Sequence, residues 1–393
     1  MTTGFPPKSL KALVFGASGI TGWAITNEAL SYPTPTTFDS VVGLTSRKLG
    51  LEASCLPLDP RLELYDGLDL SRDVNSIVEY LRKVKHVESF THIYFAAYVH
   101  SGWGEEDSEK RKEQNTKFVV NGIAALEIVC PNMEFFTFAT GGKWYGFEFG
   151  DKVQRLVPVK ESHPRIPAPY GDHIFYYPQI DALASLSEGK SWKFADIRPD
   201  AIVGFVPNHN PMNIAEPIGL YLSLWKSLES SPEVPFPGNE SAYTHFHSDC
   251  SQDLVARLHI FASLHPEKSA GKSFNIADVA YPVSWEMVWP GICQYFELTG
   301  VGPLPEGQGL AGEPWARSHS DKWDIWTRDN KLRPQVLNKT CWDFMTIVTG
   351  PFAEFDRQYD IGEARAIGLT ESIDPVKSYH IAFNRMRAAK IIP

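Results

Sequence analysis

Short, wholly apolar runs alternate with longer segments of helical periodicity through the first half of the chain. The runs predict strands at Ala12–Phe15, Ser40–Leu44, Leu62–Tyr65, His92–Ala97, Glu134–Ala139 and Phe194–Ile197. Between them, apolar residues recur at helical spacing, which predicts helices at Trp23–Leu30, Val74–Lys83 and Lys112–Cys130. Strands without polar alternation are typical of parallel sheets covered on both faces. The pattern therefore predicts an α/β fold built on a Rossmann-type, doubly wound parallel sheet.

The pattern changes after about residue 205, where Pro and Gly become frequent and predicted strands are short and few. Longer helices are predicted at Pro217–Leu228 and Ser251–Ser263, and the Gly/Pro-rich stretch Gly302–Trp315 predicts a surface loop. We expect a first part over residues 1–205 and a smaller, mostly helical part over 206–393. The two parts are expected to interleave, so the boundary between them is approximate. The second part would shape a pocket at the carboxyl edge of the sheet.

Composition and charge narrow the classes of function. Hydrophobic residues make up 43% of the chain, which is enough for a sizeable core, and 37 basic against 47 acidic residues give a net charge of −10. With no basic block and no apolar stretch of about 20 residues, we expect neither a nucleic-acid nor a membrane partner. Five dispersed cysteines without a CxxC pair, and an N-terminus unlike a signal sequence, predict a cytoplasmic protein with reduced thiols.

A glycine-rich segment, Gly16-Ala17-Ser18-Gly19-Ile20-Thr21-Gly22, follows the first predicted strand and precedes the first predicted helix. In that context, glycines permit a tight turn and close backbone approach to a pyrophosphate at a helix N-terminus. A merely structural turn is the alternative. The segment predicts dinucleotide binding by the 1–205 part, through Gly16, Ser18, Gly19, Ile20, Thr21 and Gly22.

The end of the second predicted strand, Thr45-Ser46-Arg47-Lys48, bears on the choice of cofactor. This position often holds an acid that binds the ribose 2′-hydroxyl of NADH, whereas here a hydroxyl and two cations suit the 2′-phosphate of NADPH. Ser46 and Arg47 are the predicted contacts, although solvated surface cations would give the same pattern. Asp69, followed by Leu70 after the third strand, is a candidate for the adenine edge, and a loop-capping Asp is the alternative.

Many reductases of this architecture use a Tyr with a Lys four residues later on one helix. None of the 15 tyrosines here has a Lys at that spacing, so a catalytic Tyr and Lys would come from different segments. Candidate segments are Phe138-Ala139-Thr140-Gly141-Gly142-Lys143-Trp144-Tyr145-Gly146 and His173-Ile174-Phe175-Tyr176-Tyr177-Pro178-Gln179-Ile180-Asp181.

These segments resemble motifs of the progesterone 5-beta-reductase and iridoid synthase family, a divergent branch of the extended short-chain dehydrogenases/reductases. The family shows Thr-Gly-x-Lys, Phe-Tyr-Tyr and Arg-Pro-x-x-Ile-x-Gly motifs in this order, and the chain matches them at residues 140–143, 175–177 and 198–204. Ser248-Asp249-Cys250 and the terminal segment Ala388–Pro393 also resemble family segments. The resemblance extends over nearly the whole chain from Lys11.

The resemblance implies an NADPH-dependent reductase in specialised metabolism that acts on the double bond of an enone or enal. Hydride would reach the β-carbon, while Tyr176, with Lys143, stabilises the enolate oxygen. Tyr145 is a less favoured substitute for Tyr176. The further cofactor contacts it implies are Ala96, Thr140, Lys143, Tyr176 and Ile202. The substrate would be a small apolar carbonyl compound in a pocket lined by His100, Trp103, Tyr145 and Met212, and a homodimeric assembly stays open.

Departures from the family pattern keep other functions open. Tyr94–Trp103 and Phe147-Glu148-Phe149 match only partly, and Pro178 stands where the family has an acidic helix start. A remodelled pocket could reduce a ketone or aldehyde, catalyse a non-redox cyclisation or isomerisation, or serve an NADPH-sensing protein.

Four histidines lie outside the matched family motifs. Alternation would place His245 and His247 on one face of a strand, near Asp249 and Cys250, but the resemblance favours no metal site. His163 and His173 precede Tyr176 and are candidates for the pocket or for an exposed loop.

Overall fold

The structure is a computed structural model that describes residues 9–99, 108–350 and 353–393. The chain forms two compact units, each assembled from three separate stretches. The first unit comprises Met1–Thr140, His173–Ile197 and Ala256–Ser273, and the second comprises Gly141–Asp172, Arg198–Val255 and Phe274–Pro393. Interleaving of this kind means that neither unit is one continuous half of the chain. The division of roles after residue 205 stays a prediction.

A seven-stranded sheet organises the fold, in the strand order β11-β6-β5-β4-β1-β2-β3. All register pairs among β1 to β6 are parallel, so the predicted doubly wound sheet is confirmed. The order places β1 between β4 and β2, and the chain winds outwards first to β3 and then, on the other side of β1, to β6. The described strands are β1 (Lys11–Phe15), β2 (Ser40–Thr45), β3 (Leu62–Asp66), β4 (His92–Phe95), β5 (Phe135–Ala139), β6 (Lys193–Pro199), β7 (Ile202–Val203), β8 (Glu233–Phe236), β9 (Phe246–His247), β10 (Cys250–Ser251), β11 (Lys272–Ile276), β12 (Val283–Ser284) and β13 (Thr299–Pro303).

The helices follow the predicted periodicity, with shifted ends. They are α1 (Ile20–Glu28), α2 (Leu51–Ser54), α3 (Val74–Leu81), α4 (Ser108–Val129), α5 (Tyr176–Ser187), α6 (Ala215–Leu228), α7 (Glu240–Thr244), α8 (Gln252–Leu264), α9 (Pro266–Ser269), α10 (Trp285–Gln294), α11 (Gly312–Ser318), α12 (Trp323–Asp329), α13 (Val336–Lys339), α14 (Trp342–Val348), α15 (Gly362–Ile367) and α16 (Pro375–Ala388). The first helix begins earlier than predicted because Gly19, the last residue of the glycine turn, takes its N-cap position. Strand β4 ends at Phe95, two residues before the predicted end, since Ala96 turns past the glycine loop.

The apolar residues from which the strands of the first unit were predicted are buried in its core. Phe15, Phe95 and Phe136 lie on the neighbouring strands β1, β4 and β5. Their rings stack in sequence, with centroids 5.3 Å apart for Phe15–Phe95 and 5.7 Å apart for Phe95–Phe136. Ile123 and Leu126 of α4 are fully buried in the same core. Apolar side chains on consecutive parallel strands therefore build a continuous core beneath the helices.

The second unit is held by helices and by three two-stranded ribbons, which pair β7 with β10, β9 with β12, and β8 with β13. Its aromatic residues pack largely on one another. The ring centroid of Trp225 lies 4.7 Å from that of Trp315, and Phe236 lies 5.4 Å from Trp285 and 5.6 Å from Trp289. Many aromatics of the second half therefore form core.

The predicted surface loop Gly302–Trp315 is too long at both ends. Strand β13 continues to Pro303, and α11 begins at Gly312. Trp315 is buried, because its ring packs on Trp225 and its indole N–H donates to Glu229 Oε1 at 2.9 Å. Within the predicted loop, residues 304–311 are the ones that lie outside strands and helices. Over the described residues, the helices are too short or too polar for any of them to cross a bilayer.

Candidate active site

The glycine loop follows β1 and packs tightly against the chain after β4. Gly16 has φ +82°, and a Cβ there would lie 2.7 Å from the carbonyl oxygen of Ala96. A Cβ on Gly22 would lie 2.2 Å from the oxygen of Gly16. The turn closes through Gly19 N–H, which donates to Gly16 O at 2.9 Å. Both glycines are therefore required by close backbone approach, and Gly16 also by its left-handed conformation.

Helix α1 begins at this loop, and its N-terminus is suited to a negatively charged group. The N-cap residue is Gly19, and among the described residues no side chain forms a capping hydrogen bond with this helix end. The first turn of the helix contains no acidic residue. The amide groups near Ser18, Ile20 and Thr21 therefore lie where the helix dipole favours negative charge. The compact glycine turn and this helix end fit the pyrophosphate of a dinucleotide.

The cationic segment that is predicted to bind the 2′-position of the cofactor follows β2 and is exposed. The hydroxyl of Thr45 donates to the carbonyl of Arg47 at 2.6 Å, which turns the chain directly after the strand. Ser46, Arg47 and Lys48 are all exposed. A fixed turn with outward cations is compatible with a bound phosphate, and the contacts themselves stay a prediction.

Asp69 and Leu70 have identifiable structural roles in the loop after β3. Asp69 Oδ1 accepts from the N–H of Ser71 at 2.9 Å and from its hydroxyl at 2.6 Å. These bonds lower the pKa of the Asp69 carboxyl, the side-chain bond from Ser71 being the largest cause. Leu70 is buried in the core. The loop-capping interpretation of Asp69 thus has a geometric basis, while its contact with adenine remains a prediction.

Tyr176 is the first residue of α5 and is half-buried. The preceding Phe175 is buried, and its ring centroid lies 5.5 Å from that of Tyr98 and 4.3 Å from that of Tyr176. Pro178 lies in the first turn, where a missing N–H costs no helical hydrogen bond. The departure at Pro178 is therefore compatible with a normal helix start.

Two polar side chains link α5 to the segment after β4. Gln179, one turn beyond Tyr176, donates from Nε2 to the backbone oxygen of Asn115 at 2.8 Å. Asn115 Oδ1 accepts from Val99 N–H at 2.9 Å, and Asn115 Nδ2 donates to Val99 O at 3.1 Å. Both side chains are buried. Within the first unit, contacts therefore run from Gly16 to Ala96, and from Val99 through Asn115 to the helix that begins at Tyr176.

Lys143 belongs to the second unit and lies in a short 3₁₀ turn, Gly142–Tyr145. Its Nζ lies 2.9 Å from Oε2 of Glu148, and the two side chains are only 15% and 18% exposed. Gly146, with φ +68°, separates this turn from a second 3₁₀ segment, Phe147–Lys152. Glu148 is five residues after Lys143, so the reversal at Gly146 is what brings the carboxylate back to the ammonium.

Tyr145 is buried in a polar network of the second unit. Its hydroxyl donates to Asn275 Oδ1 at 2.6 Å, and Arg198 Nη1 lies 3.5 Å from it. Arg198 also stacks over Trp144, with its guanidinium carbon 3.7 Å from the ring centroid. The network holds the turn that carries Lys143, and a contact of Tyr145 with substrate remains a prediction.

The remaining predicted contacts are dispersed. Thr140 N–H donates to Ile197 O at 2.9 Å, which joins the ends of β5 and β6. Ile202 is buried in β7, and Met212 is half-buried, with its N–H bonded to Asn210 Oδ1. The predicted pocket residues that lie outside the described part of the chain are His100 and Trp103.

The four histidines occupy ordinary structural positions. His245 follows α7 and bonds through Nδ1 to Ser241 O, whereas β9 contains only Phe246 and His247, so the predicted shared strand face is wrong. His247 Nδ1 lies 3.2 Å from Asp249 Oδ2. No three His, Cys, Asp or Glu side chains converge as metal ligands in the ranges that the structure describes.

The two pocket-candidate histidines are anchored within their own units. His173 Nδ1 lies 2.9 Å from the hydroxyl of Ser108, and His163 N–H donates to the carbonyl of Lys160 at 3.0 Å. Both side chains are half-buried. Their predicted role in a pocket stays a prediction.

Two family motifs meet in a buried ionic cluster of the second unit. Asp200 of the Arg-Pro motif and Asp249 of the Ser-Asp-Cys segment both face Arg357, which donates from Nε to Asp200 Oδ2 at 3.1 Å. Burial raises the pKa of Asp200, and Arg357 opposes that rise. These acids are thus explained by packing within the unit.

Sequence reasoning missed Asn115, Gln179, Glu148 and Arg357. Asn115 bonds to Val99, 16 residues away, and Gln179 bonds to Asn115 on another helix. Arg357 and Asp200 are 157 residues apart. Only Glu148 had a local signal, a carboxylate shortly after the motif Lys, and its spacing fits no regular element.

Comparison with known proteins agrees with this architecture. The sequence matches the PRISE-like Rossmann-fold domain over residues 12–393. The short chain dehydrogenase ausT of Aspergillus calidoustus is 36% identical over 388 residues, which cover 97% of this chain and 94% of that protein. The (S)-8-oxocitronellyl enol synthase ISY1 of Nepeta cataria is 27% identical, with 97% of this chain and 93% of that protein covered.

Among solved structures, the fold is similar to that of a UDP-N-acetylglucosamine 4-epimerase from Methanobrevibacter ruminantium M1. The TM-score is 0.62 at 15% identity, with 97% of this chain and 99% of that chain covered. Similarity at this identity shows the shared fold alone. The sequence matches, by contrast, span both units and confirm the resemblance seen in the motifs. The chain therefore belongs to the PRISE-like Rossmann-fold family, among the short-chain dehydrogenases.

Proposed function

We propose that this protein is an NADPH-dependent reductase that saturates the carbon–carbon double bond of a small apolar enone or enal. The observation that supports it best is the run of contacts inside the first unit. Gly16 of the phosphate loop meets Ala96, and Asn115 links Val99 to Gln179 on the helix that begins at Tyr176. In this proposal, the loop that binds the cofactor and the hydroxyl that acts on the substrate both belong to the first unit and are linked through these contacts.

The bound nicotinamide would supply the hydride, which adds to the β-carbon of the substrate. Negative charge then develops on the carbonyl oxygen, where the Tyr176 hydroxyl donates a hydrogen bond and the Lys143 ammonium contributes positive charge. The N-terminal position of Tyr176 in α5 supports this role, because the positive end of the helix dipole favours an anion there. The product would be an enol or, after transfer of its proton to carbon, a saturated carbonyl compound.

The relatives support the same chemistry. One carries the name of an enol synthase, and an enol is what results when hydride adds to the β-carbon of an enal and the oxygen takes a proton. The cationic end of β2, with Arg47 and Lys48 exposed, supports NADPH as the reductant.

The test is consumption of NADPH by the purified protein with a panel of enals, enones, ketones and aldehydes, with identification of every product. A saturated carbonyl product would support the proposal, whereas an alcohol would replace it by carbonyl reduction. Tight NADPH binding without consumption on any substrate would favour non-redox or sensing functions.

The substitution Tyr176→Phe tests the proton donor. It should lower turnover by about 100-fold or more with NADPH binding unchanged, because the hydroxyl acts in the transition state. Tyr177→Phe is the matched control, since Tyr177 is its buried neighbour in the same helix turn. Equal turnover in the wild type and Tyr176→Phe would show that another group is the donor.

A further inference from the structure

The ammonium of Lys143 is held by a carboxylate that the established family motifs leave without a role. Lys143 Nζ and Glu148 Oε2 lie 2.9 Å apart, and both side chains are more than four-fifths buried. A lysine side chain has four flexible bonds, and fixing it in one orientation is entropically costly. A nearly buried carboxylate at hydrogen-bond distance removes that freedom in advance.

The backbone around this pair is itself rigidly supported. Gly146 N–H donates to Lys143 O at 3.0 Å, and Gly146 O accepts from Arg155 Nη1 at the same distance. The Arg155 guanidinium lies over the ring of Phe355, 4.2 Å from its centroid, and burial lowers the pKa of Arg155 to about 10. The chain reversal that brings Glu148 close to Lys143 is therefore held by hydrogen bonds within the second unit.

Glu148 is also directed towards Lys143 by its immediate neighbours. Phe147 and Phe149, the residues on either side of Glu148, are both buried. The rings of Phe147 and Tyr359 lie 5.9 Å apart, and those of Phe149 and Tyr170 lie 5.2 Å apart. Packing on both sides thus sets where the carboxylate stands.

We propose that Glu148 is the positioning residue of Lys143, and that it holds the ammonium in the orientation in which Lys143 binds NADPH. The inference rests on the proposed function, because it assigns Lys143 to the cofactor. In this proposal Glu148 makes no contact of its own with the cofactor. Its negative charge acts through Lys143 alone, so its effect should require Lys143. A general effect of charge on an anionic ligand would not require that lysine.

The experiment is a double-mutant cycle on the dissociation constant of NADPH, measured by calorimetry without any substrate. Glu148→Gln keeps the size of the side chain and removes its charge, so it should weaken binding about tenfold. In a Lys143→Ala background the same change should alter binding by less than about twofold, because the group that it positions is gone. Glu148→Asp, which keeps the charge, should recover most of the affinity.

The control is Glu297→Gln, which removes a carboxylate of the same unit that pairs with Lys226 at the surface, 3.2 Å away. It should leave the dissociation constant unchanged. Tighter binding by Glu148→Gln, or an equal effect in both backgrounds, would overturn the inference and assign Glu148 a general electrostatic effect. Absence of NADPH binding by the wild type would instead overturn the proposed function, and the inference with it. Thermal unfolding of each variant verifies that it is folded.

Discussion

The guanidinium of Arg357 donates to the carboxylate of Asp200 across 3.1 Å, deep inside the second unit, although the two residues are 157 positions apart in the chain. Asp249 lies 3.8 Å from the same guanidinium. Two acidic residues of the family motifs therefore share one cation, Arg357, which lies in none of those motifs. Because charges are costly to bury, the cluster is stable only while the cation is present.

Replacement of Arg357 should therefore destabilise the protein strongly. We expect Arg357→Met to cost about 3–5 kcal/mol of unfolding free energy, since it removes the guanidinium that faces two buried carboxylates. Urea unfolding measures the change. Arg328→Met is the control, because Arg328 pairs with Asp329 at the surface of α12 and its loss should cost less than about 0.5 kcal/mol. Similar midpoints for the two variants would contradict the structural importance of the cluster.

The glycine loop should tolerate no side chain at Gly22. A Cβ there would lie 2.2 Å from the oxygen of Gly16, so Gly22→Ala must displace the backbone of the glycine loop. We expect NADPH binding to weaken by at least about 100-fold, as measured by calorimetry. Gly50→Ala is the matched control, because no atom lies within 4 Å of its added Cβ. Unaltered affinity in Gly22→Ala would place the pyrophosphate elsewhere.

Arg47 should discriminate between the two nicotinamide cofactors. Loss of its charge-assisted bond to a 2′-phosphate in Arg47→Ala should cost about 1.5–3 kcal/mol of NADPH binding energy and leave NADH binding almost unchanged. Titrations with both cofactors measure the difference. Arg82→Ala, an exposed cation after α3, should affect neither. Equal weakening of both cofactors by Arg47→Ala would make Arg47 a structural residue.

Asp278 should make the stability of the protein depend on pH. It is buried, accepts from Ser251 N–H at 2.7 Å and bonds to the Ser378 hydroxyl, and burial raises its pKa to about 8. An unfolded Asp titrates near pH 4, so between about pH 4 and pH 8 the folded chain retains a proton that the unfolded chain has lost. This contribution to stability is complete below pH 4 and is lost as the pH rises towards 8.

Asp278→Asn cannot ionise and can retain both hydrogen bonds. Its unfolding free energy should therefore fall less steeply than that of the wild type between pH 5 and pH 8, with a gain of about 1 kcal/mol or more at the upper end. Urea unfolding at a series of pH values measures both slopes. Parallel slopes would show that Asp278 is ionised in the folded protein.

The sheet and its helices could be predicted because their signal is local. A strand covered on both faces must be apolar along its length, as in Ala12–Phe15, and an amphipathic helix must repeat at its own period, as in Val74–Leu81. The glycine loop was recognisable for the same reason, since a tight turn restricts residues that are neighbours in the sequence. Local signals fail where tertiary packing intervenes: the Gly/Pro-rich stretch predicts a loop at Trp315, but this residue is buried against Trp225.

The fold class, the family and the segments that hold Tyr176 and Lys143 can be inferred from the amino-acid sequence alone, because each of these is encoded by short contiguous patterns. Which side chains support those segments depends on how the chain folds in three dimensions. Gln179 meets Asn115 because two helices pack together, Glu148 meets Lys143 because the chain reverses at Gly146, and Arg357 meets Asp200 because distant segments share a core. Ion pairs and buried hydrogen bonds depend on distance in space, and spacing along the chain does not report that distance when the partners lie on different elements.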